Sequence, residues 1–281
     1  MSDLPILLKW PGGKRALLKH LTPFAPDSFY RYYEPFVGSG ALFFALEPQN
    51  ARLSDANEEL INCYIQVRDN PKEIIANLAK MRNTREDYYK IRASVPTEQI
   101  TRAARFIYLM TLSFNGLYRV NLQGKFNVPY NHKTHLNPCD KDRILKTSQA
   151  LSTAQITHCD FELAVEDANS CDFVYFDPPF AISHKQCSFV RYNDEIFSWK
   201  DQIRLAKIAH SLTCRGCHVL ISNVDHPSIL ELYQDLGFHA QHITRFSVIA
   251  AKSKHRGQII EYLFYNKQGE TTNVNKRGTS R

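Results

Sequence analysis

The 281-residue chain has no run of eighteen apolar residues, so no membrane-spanning helix is expected. Its first residues, Met1-Ser2-Asp3-Leu4-Pro5, lack the basic and apolar regions of an export signal, which points to a cytoplasmic protein. Gly13-Lys14 is not a phosphate-binding P-loop, because the glycine four positions earlier and the following Ser or Thr are missing. No nuclease motif is visible, and the length is expected to leave no room for an added domain. The seven cysteines are odd in number and scattered, so reduced thiols are expected. Cys214-Arg215-Gly216-Cys217-His218 matches the pattern of c-type haem attachment, yet that attachment belongs to exported proteins. There is no second C-x-x-C pair to complete a zinc site. The stretch reads more simply as a turn leading into a strand at 218–222, and no metal is expected.

What is present is basic. A formal charge of +7 and a pI near 9.0 suit a polyanionic partner, though many basic proteins bind no nucleic acid. A hydrophobic content of 43% is ordinary for a globular protein, and the length suits one large domain or a core domain carrying an insert.

One stretch organises the chain: Asp172-Phe173-Val174-Tyr175-Phe176-Asp177-Pro178-Pro179-Phe180. Its apolar, β-branched and aromatic start reads as a buried strand, and proline must end it because proline cannot donate to a sheet ladder. An acid, two prolines and an aromatic ring therefore stand at a strand's C-terminal edge, where open α/β sheets bind ligands. A rigid turn with no function would look the same if it stood alone.

Two further stretches resemble it in kind. Leu8-Lys9-Trp10-Pro11-Gly12-Gly13-Lys14-Arg15 joins tight-turn glycines to a ring and a charge, ahead of a short helix at 16–22. Arg31-Tyr32-Tyr33-Glu34-Pro35-Phe36-Val37-Gly38-Ser39-Gly40 is a strand running into a Gly-x-Gly loop before an apolar helix. A second strand ends in Asp55, which is placed either to accept ribose hydroxyls or to cap the following helix. From 57 to 114 the pattern is helical, with Leu60, Tyr64 and Val67, then Ile74, Ile75 and Leu78, then Ala103, Ile107 and Met110 as core stripes.

Residues 113–130, with Phe114, Asn115, Leu117, Arg119 and Pro129, mix Arg, Lys, Asn and aromatics around two glycines. This is either a plain hairpin turning near Gln123-Gly124 or a ribbon that reads the major groove. Strand 155–161 resumes the sheet. A polar loop from 181 to 193 carries His184, Lys185, Phe189, Arg191 and Tyr192, suited to phosphates and bases or to a surface connection. Ser222-Asn223 ends a strand between helices at 198–213 and 226–235, and closing strands follow at 239–249 and 258–265. The expected fold is α/β, its alternating pattern interrupted by a helical insert. The domains are then 1–56 with 151–265, an insert at 57–150, and a polar tail at 266–281.

In this order the motifs resemble the Dam-type, DpnII-like family of DNA adenine-N6 methyltransferases, over nearly the whole chain. The likeness implies a Rossmann-like methyltransferase sheet with an inserted DNA-recognition domain, double-stranded DNA as partner, and S-adenosylmethionine as methyl donor. It implies that Trp10, Lys14, Asp55 and Asp177 bind S-adenosylmethionine, with Glu34, Phe36, Gly38, Gly40, Asp160 and Phe161 shaping the pocket. Lys9, Phe114, Asn115, Leu117, Arg119 and Pro129 match positions that face DNA, and the loop residue Tyr192 joins them. Asp177, Pro178, Pro179 and Phe180 would be catalytic, and GATC is the implied site. Two departures stand out: Phe180 where the family usually has Tyr, and Asn131-His132-Lys133-Thr134 where relatives commonly read Gly-Arg-Tyr.

The implied chemistry has Asp177 and the Pro178 carbonyl accept the two N–H bonds of an adenine amine, aiming its lone pair at the methyl group. The base would leave the duplex and stack on Phe180. Cytosine-N4 methylation, a DNA-binding module without catalysis, and methylation of RNA or protein glutamine stay open at this point. So does the choice between a solitary methylase and the partner of a restriction nuclease. A monomer is the default.

Overall fold

The protein is described by a computed structural model over residues 4–182, 197–246 and 258–266. Seven strands form one sheet there: β1 (Tyr32–Glu34), β2 (Ala51–Asp55), β3 (Gln155–His158), β4 (Phe173–Phe176), β5 (His218–Val224), β6 (His239–Phe246) and β7 (Gln258–Tyr265). Their order is β3-β2-β1-β4-β5-β7-β6. β7 runs antiparallel between β5 and β6, and the other neighbours are parallel.

The apolar runs explain the layering. Side chains alternate across a strand, so Phe173 and Tyr175 of β4 enter one core with Tyr32, Leu220 and Leu263. Val174 and Phe176 enter the other with Tyr33, Val219, Ile221 and Phe264. A strand covered on both faces needs apolar residues at every position, and all four residues of β4 are buried.

A short helix α1 (Leu18–Leu21) precedes β1, and α2 (Ala41–Leu46) links β1 to β2. Between β2 and β3 lie α3 (Glu58–Asp69), α4 (Pro71–Leu78), α5 (Arg85–Ala93), α6 (Gln99–Leu112) and α7 (Lys141–Leu151). Leu60, Tyr64, Val67, Ile74, Leu78, Ala103, Ile107 and Met110 are all buried in these helices, in the same cluster as Leu42 and Leu53. The core of the helical stretch is thus continuous with one face of the sheet. α8 (Trp199–Cys214) and α9 (Pro227–Gln234) cover the other face. Ser198 and Asp201 close a reciprocal capping box at the start of α8.

Two local alternatives are decided. Asp55 does not cap α3: the side chain of Asn57 accepts from the Leu60 amide, because Asn57 is the residue that stands at the helix entry. Residues 113–130 pair back on themselves through two isolated antiparallel bridges, Ser113 with Tyr130 and Val120 with Phe126, and through backbone bonds such as the Asn127 amide to the Arg119 carbonyl, a hairpin without a continuous ladder. The Asn121 side chain closes the turn there, accepting from the Gln123 and Lys125 amides at 3.0 Å each. Cys217 is buried and Cys214 exposed. Among the described residues no helix is long and apolar enough to cross a membrane.

The organising stretch is pinned at its start by a buried carboxylate. Asp172 accepts from the Arg31 guanidinium at 2.8 Å and from the Asn169 amide at 2.8 Å, and it also takes the Arg31 amide at 3.1 Å. Removing one partner of such a buried pair strands the other. Asp172→Ala is expected to lower unfolding free energy by about 3 kcal/mol, measured by denaturant titration; a change under about 1 kcal/mol would contradict this anchoring.

Candidate active site

The sheet order reverses between β1 and β4, and at such a switch point the loops beyond the strand ends diverge and leave a crevice. Asp177 stands there, one residue past β4. Its carboxylate is 2.7 Å from the ammonium of Lys14, which also lies 3.3 Å from Glu261 on β7. The same ammonium donates to the Gly12 carbonyl at 3.3 Å and sits 5.4 Å from the centre of the Phe180 ring. Lys14 and Glu261 are buried, while Asp177 is partly open. Pro178 is buried and Pro179 and Phe180 are half-buried, so the stretch keeps its acid and its ring partly open at the C-terminal end of β4.

Beside it, the two glycine motifs interlock. Gly38 and Gly40 both have positive φ, 46° and 64°, which L side chains rarely adopt. A Cβ on Gly38 would come within 2.8 Å of the Trp10 ring, and one on Gly13 within 3.1 Å of the Ser39 hydroxyl. The Tyr64 hydroxyl donates to the Gly38 carbonyl at 2.8 Å. Asp55 accepts from the Gly38 amide at 3.1 Å and from the Asn57 amide at 3.0 Å. Burial pushes its carboxyl up to about 6, against the lowering effect of those amides. Its two oxygens offer about four acceptor sites, so further hydrogen bonds to a ligand can be taken. A backbone with no side chain at Gly38, a ring over it and an acid beneath it fit a nucleoside-bearing ligand at this edge.

Glu34 is fully buried and turned inward. It accepts from the Tyr32 hydroxyl at 2.9 Å and from the Phe43 amide at 3.3 Å, bracing the start of α2. Desolvation drives its carboxyl up to about 8, opposed by the Tyr32 bond. Phe36 stacks on Phe161 with ring centres 5.3 Å apart, and Phe197 meets both. Asp160 is gripped by Arg204 through two bonds of 3.0 and 2.8 Å, and the guanidinium lies 4.2 Å from the centre of the Phe161 ring.

The expected DNA-facing residues gather on one surface. Lys9, Phe114, Asn115, Arg119 and Pro129 are exposed and Leu117 is half-buried. The Phe114 amide donates to the Pro129 carbonyl at 2.8 Å, and Arg119 donates to the Asn127 side chain at 2.7 Å. The stem of Lys9 lies against Gly116. Trp10 stacks on Tyr118 at 5.4 Å, so the surface adjoins the glycine motifs directly. The departure at 131–134 is a turn held from outside: the Asn83 side chain donates to the carbonyls of Lys133 and Leu136. Tyr192 and the rest of its loop from 183 onward lie outside the described residues.

Sequence reading missed Glu261 and Arg204. Glu261 had a signal, a lone acid within an apolar strand; Arg204 had none, being one of several charges on an amphipathic helix.

With this geometry in view, the comparisons with known proteins are specific. Residues 10–249 match the D12 class N6 adenine-specific DNA methyltransferase family. The chain belongs to that family. It is 41% identical to the type II methyltransferase M1.LlaDCHI of Lactococcus lactis, over 92% of this chain and 94% of the relative. The type II methyltransferase M.MjaIII of Methanocaldococcus jannaschii is 34% identical over 92% and 98%. DNA adenine methylase of Escherichia coli K12 is 31% identical over 96% and 98%. The protein is thus an adenine-N6 DNA methyltransferase with the α/β sheet of that enzyme class.

The raised carboxyl of Glu34 makes a pH prediction. A carboxyl lifted in the folded state from 4.5 to about 8 contributes stability that is complete below 4.5 and lost as pH rises through 8. Glu34→Gln keeps the shape and acceptor but cannot ionise. Its melting temperature relative to wild type should climb steadily across that window; a difference independent of pH would refute the assignment.

Proposed function

We propose that this enzyme methylates the N6 amine of adenine within GATC in duplex DNA, acting on a base turned out of the helix. The observation that carries the reading is the N-terminal turn, whose Lys14 meets Asp177 and Phe180 while its Trp10 packs on the Gly38 loop and on Tyr118 of the segment that carries Phe114, Asn115 and Arg119. S-adenosylmethionine supplies, when bound, a methyl group made electrophilic by the sulfonium. Trp10, Asp55, Phe36, Phe161 and the backbone at Gly38 and Gly40 are the residues that would hold it, with Asp160 fixed in place by Arg204.

The amine of adenine is a weak nucleophile because its lone pair is drawn into the ring. The Asp177 carboxylate, oriented by Lys14, accepts one N–H, and the Pro178 carbonyl accepts the other. Together they fix the nitrogen with its lone pair free and stabilise the positive charge that grows on it. Phe180 stacks on the flipped base, and stacking needs a ring but not a hydroxyl. Arg119 and Asn115 supply the donors and acceptors for reading base edges in the major groove. The resemblance to Dam-type enzymes supports GATC, and the relative named DNA adenine methylase supports adenine as the target base.

Labelled methyl transfer to GATC and scrambled duplexes, followed by nucleoside digestion, tests the reading. N6-methyladenine in the GATC duplex alone is expected, whereas N4-methylcytosine or equal labelling of both duplexes would overturn it. Asp177→Ala should cost about a thousandfold in kcat with a folded protein retained. Phe180→Tyr should change activity less than about threefold, and Phe180→Ala should lower it by about ten- to a hundredfold, the worth of one stacked base.

A further inference from the structure

Glu261 is a carboxylate with no exposure in the interior of a sheet, opposite Val224 of β5 and Ile243 of β6. A charge in that setting is costly unless a partner offsets it. One partner is Lys14, 3.3 Å away, the same ammonium that lies 2.7 Å from Asp177. An ammonium carries three N–H donors, and Asp177, Glu261 and the Gly12 carbonyl surround this one. Lys14 alone would cancel the charge of Asp177. With Glu261 behind it, these three side chains set two carboxylates against one ammonium, and the partly open one, Asp177, stands at the end of β4.

We propose that Glu261 is a positioning residue that fixes Lys14 and keeps the Asp177 edge net negative toward the positively charged sulfonium and the amine that becomes cationic as it is methylated. This rests on the assignment of Asp177 as the amine acceptor and of S-adenosylmethionine as the ligand of this edge. Glu261 itself touches neither substrate nor the reacting atoms. Its effect reaches them as charge and as the placement of the Lys14 ammonium.

The test compares two ligands that differ at the sulfur by one charge. Binding of cationic S-adenosylmethionine and of S-adenosylhomocysteine, neutral at sulfur, is measured by calorimetry on the full chain. In Glu261→Gln the preference for the cationic ligand should fall about tenfold relative to wild type, the scale of one unit charge acting through protein. Glu261→Asp, which keeps the charge, should restore most of that preference. The double variant Lys14→Gln, Glu261→Gln again leaves one negative charge, on Asp177, so it should recover the wild-type preference even with both affinities lowered. Equal losses for the two ligands in Glu261→Gln would overturn the proposal by reducing Glu261 to a packing role. If Glu261→Gln does not fold, the double variant decides, and a preference reduced there overturns the proposal as well. Failure of either ligand to bind wild type would instead refute the cofactor assignment on which the proposal stands.

Discussion

The ammonium of Lys14 is the group on which the candidate active edge depends. It joins a turn near the N-terminus, the end of β4 and the middle of β7, three places far apart in the chain. Buried charges must find partners, and here the partners are the acid that ends β4 and the lone acid of β7. The pairing places the Trp10–Lys14 segment against the sheet at the point where the strand order reverses. Nothing in the backbone ladder would put it there.

The rest of the edge is packed around that placement. Once the N-terminal turn is seated, Trp10 covers Gly38 and Gly13 meets Ser39, so the two glycine motifs become one surface. Trp10 also reaches Phe106 and Tyr118, which ties the helical stretch between β2 and β3 to the same edge. The apolar core runs unbroken from the sheet into those helices, so the exposed surface around Phe114 and Arg119 is held in register with Asp177. A DNA methyltransferase needs that registration, because the residues proposed to position the duplex and those proposed to hold the amine lie on different segments.

Much of this was legible beforehand, for definite reasons. β4 could be read because a strand buried on both faces must be apolar throughout, and its end because proline cannot continue a ladder. The stripes of α3, α4 and α6 could be read because a helix presents every third or fourth residue to its core. For Asp55 the sequence left ribose binding and helix capping both open, because a cap and a loop brace look alike in sequence; Asn57 two residues later takes the cap and Asp55 braces Gly38. The inward turn of Glu34 toward Tyr32 and Phe43 was equally invisible, since its fate depends on which side of β1 the neighbouring rings occupy.

By itself, then, the sequence determined the alternation of elements, the two glycine turns, the abrupt stop at Asp177 and the order of motifs that marks the family. These are local matters, set by backbone sterics and by side-chain periodicity within a few residues. Only the tertiary structure decided that Lys14 meets Asp177 and Glu261, that Arg204 clamps Asp160 over Phe161, and that Lys9 and Trp10 abut the surface around Tyr118. Those contacts join segments up to most of the chain apart. Their partners are chosen by burial and charge once the sheet has closed, and no local pattern encodes that choice.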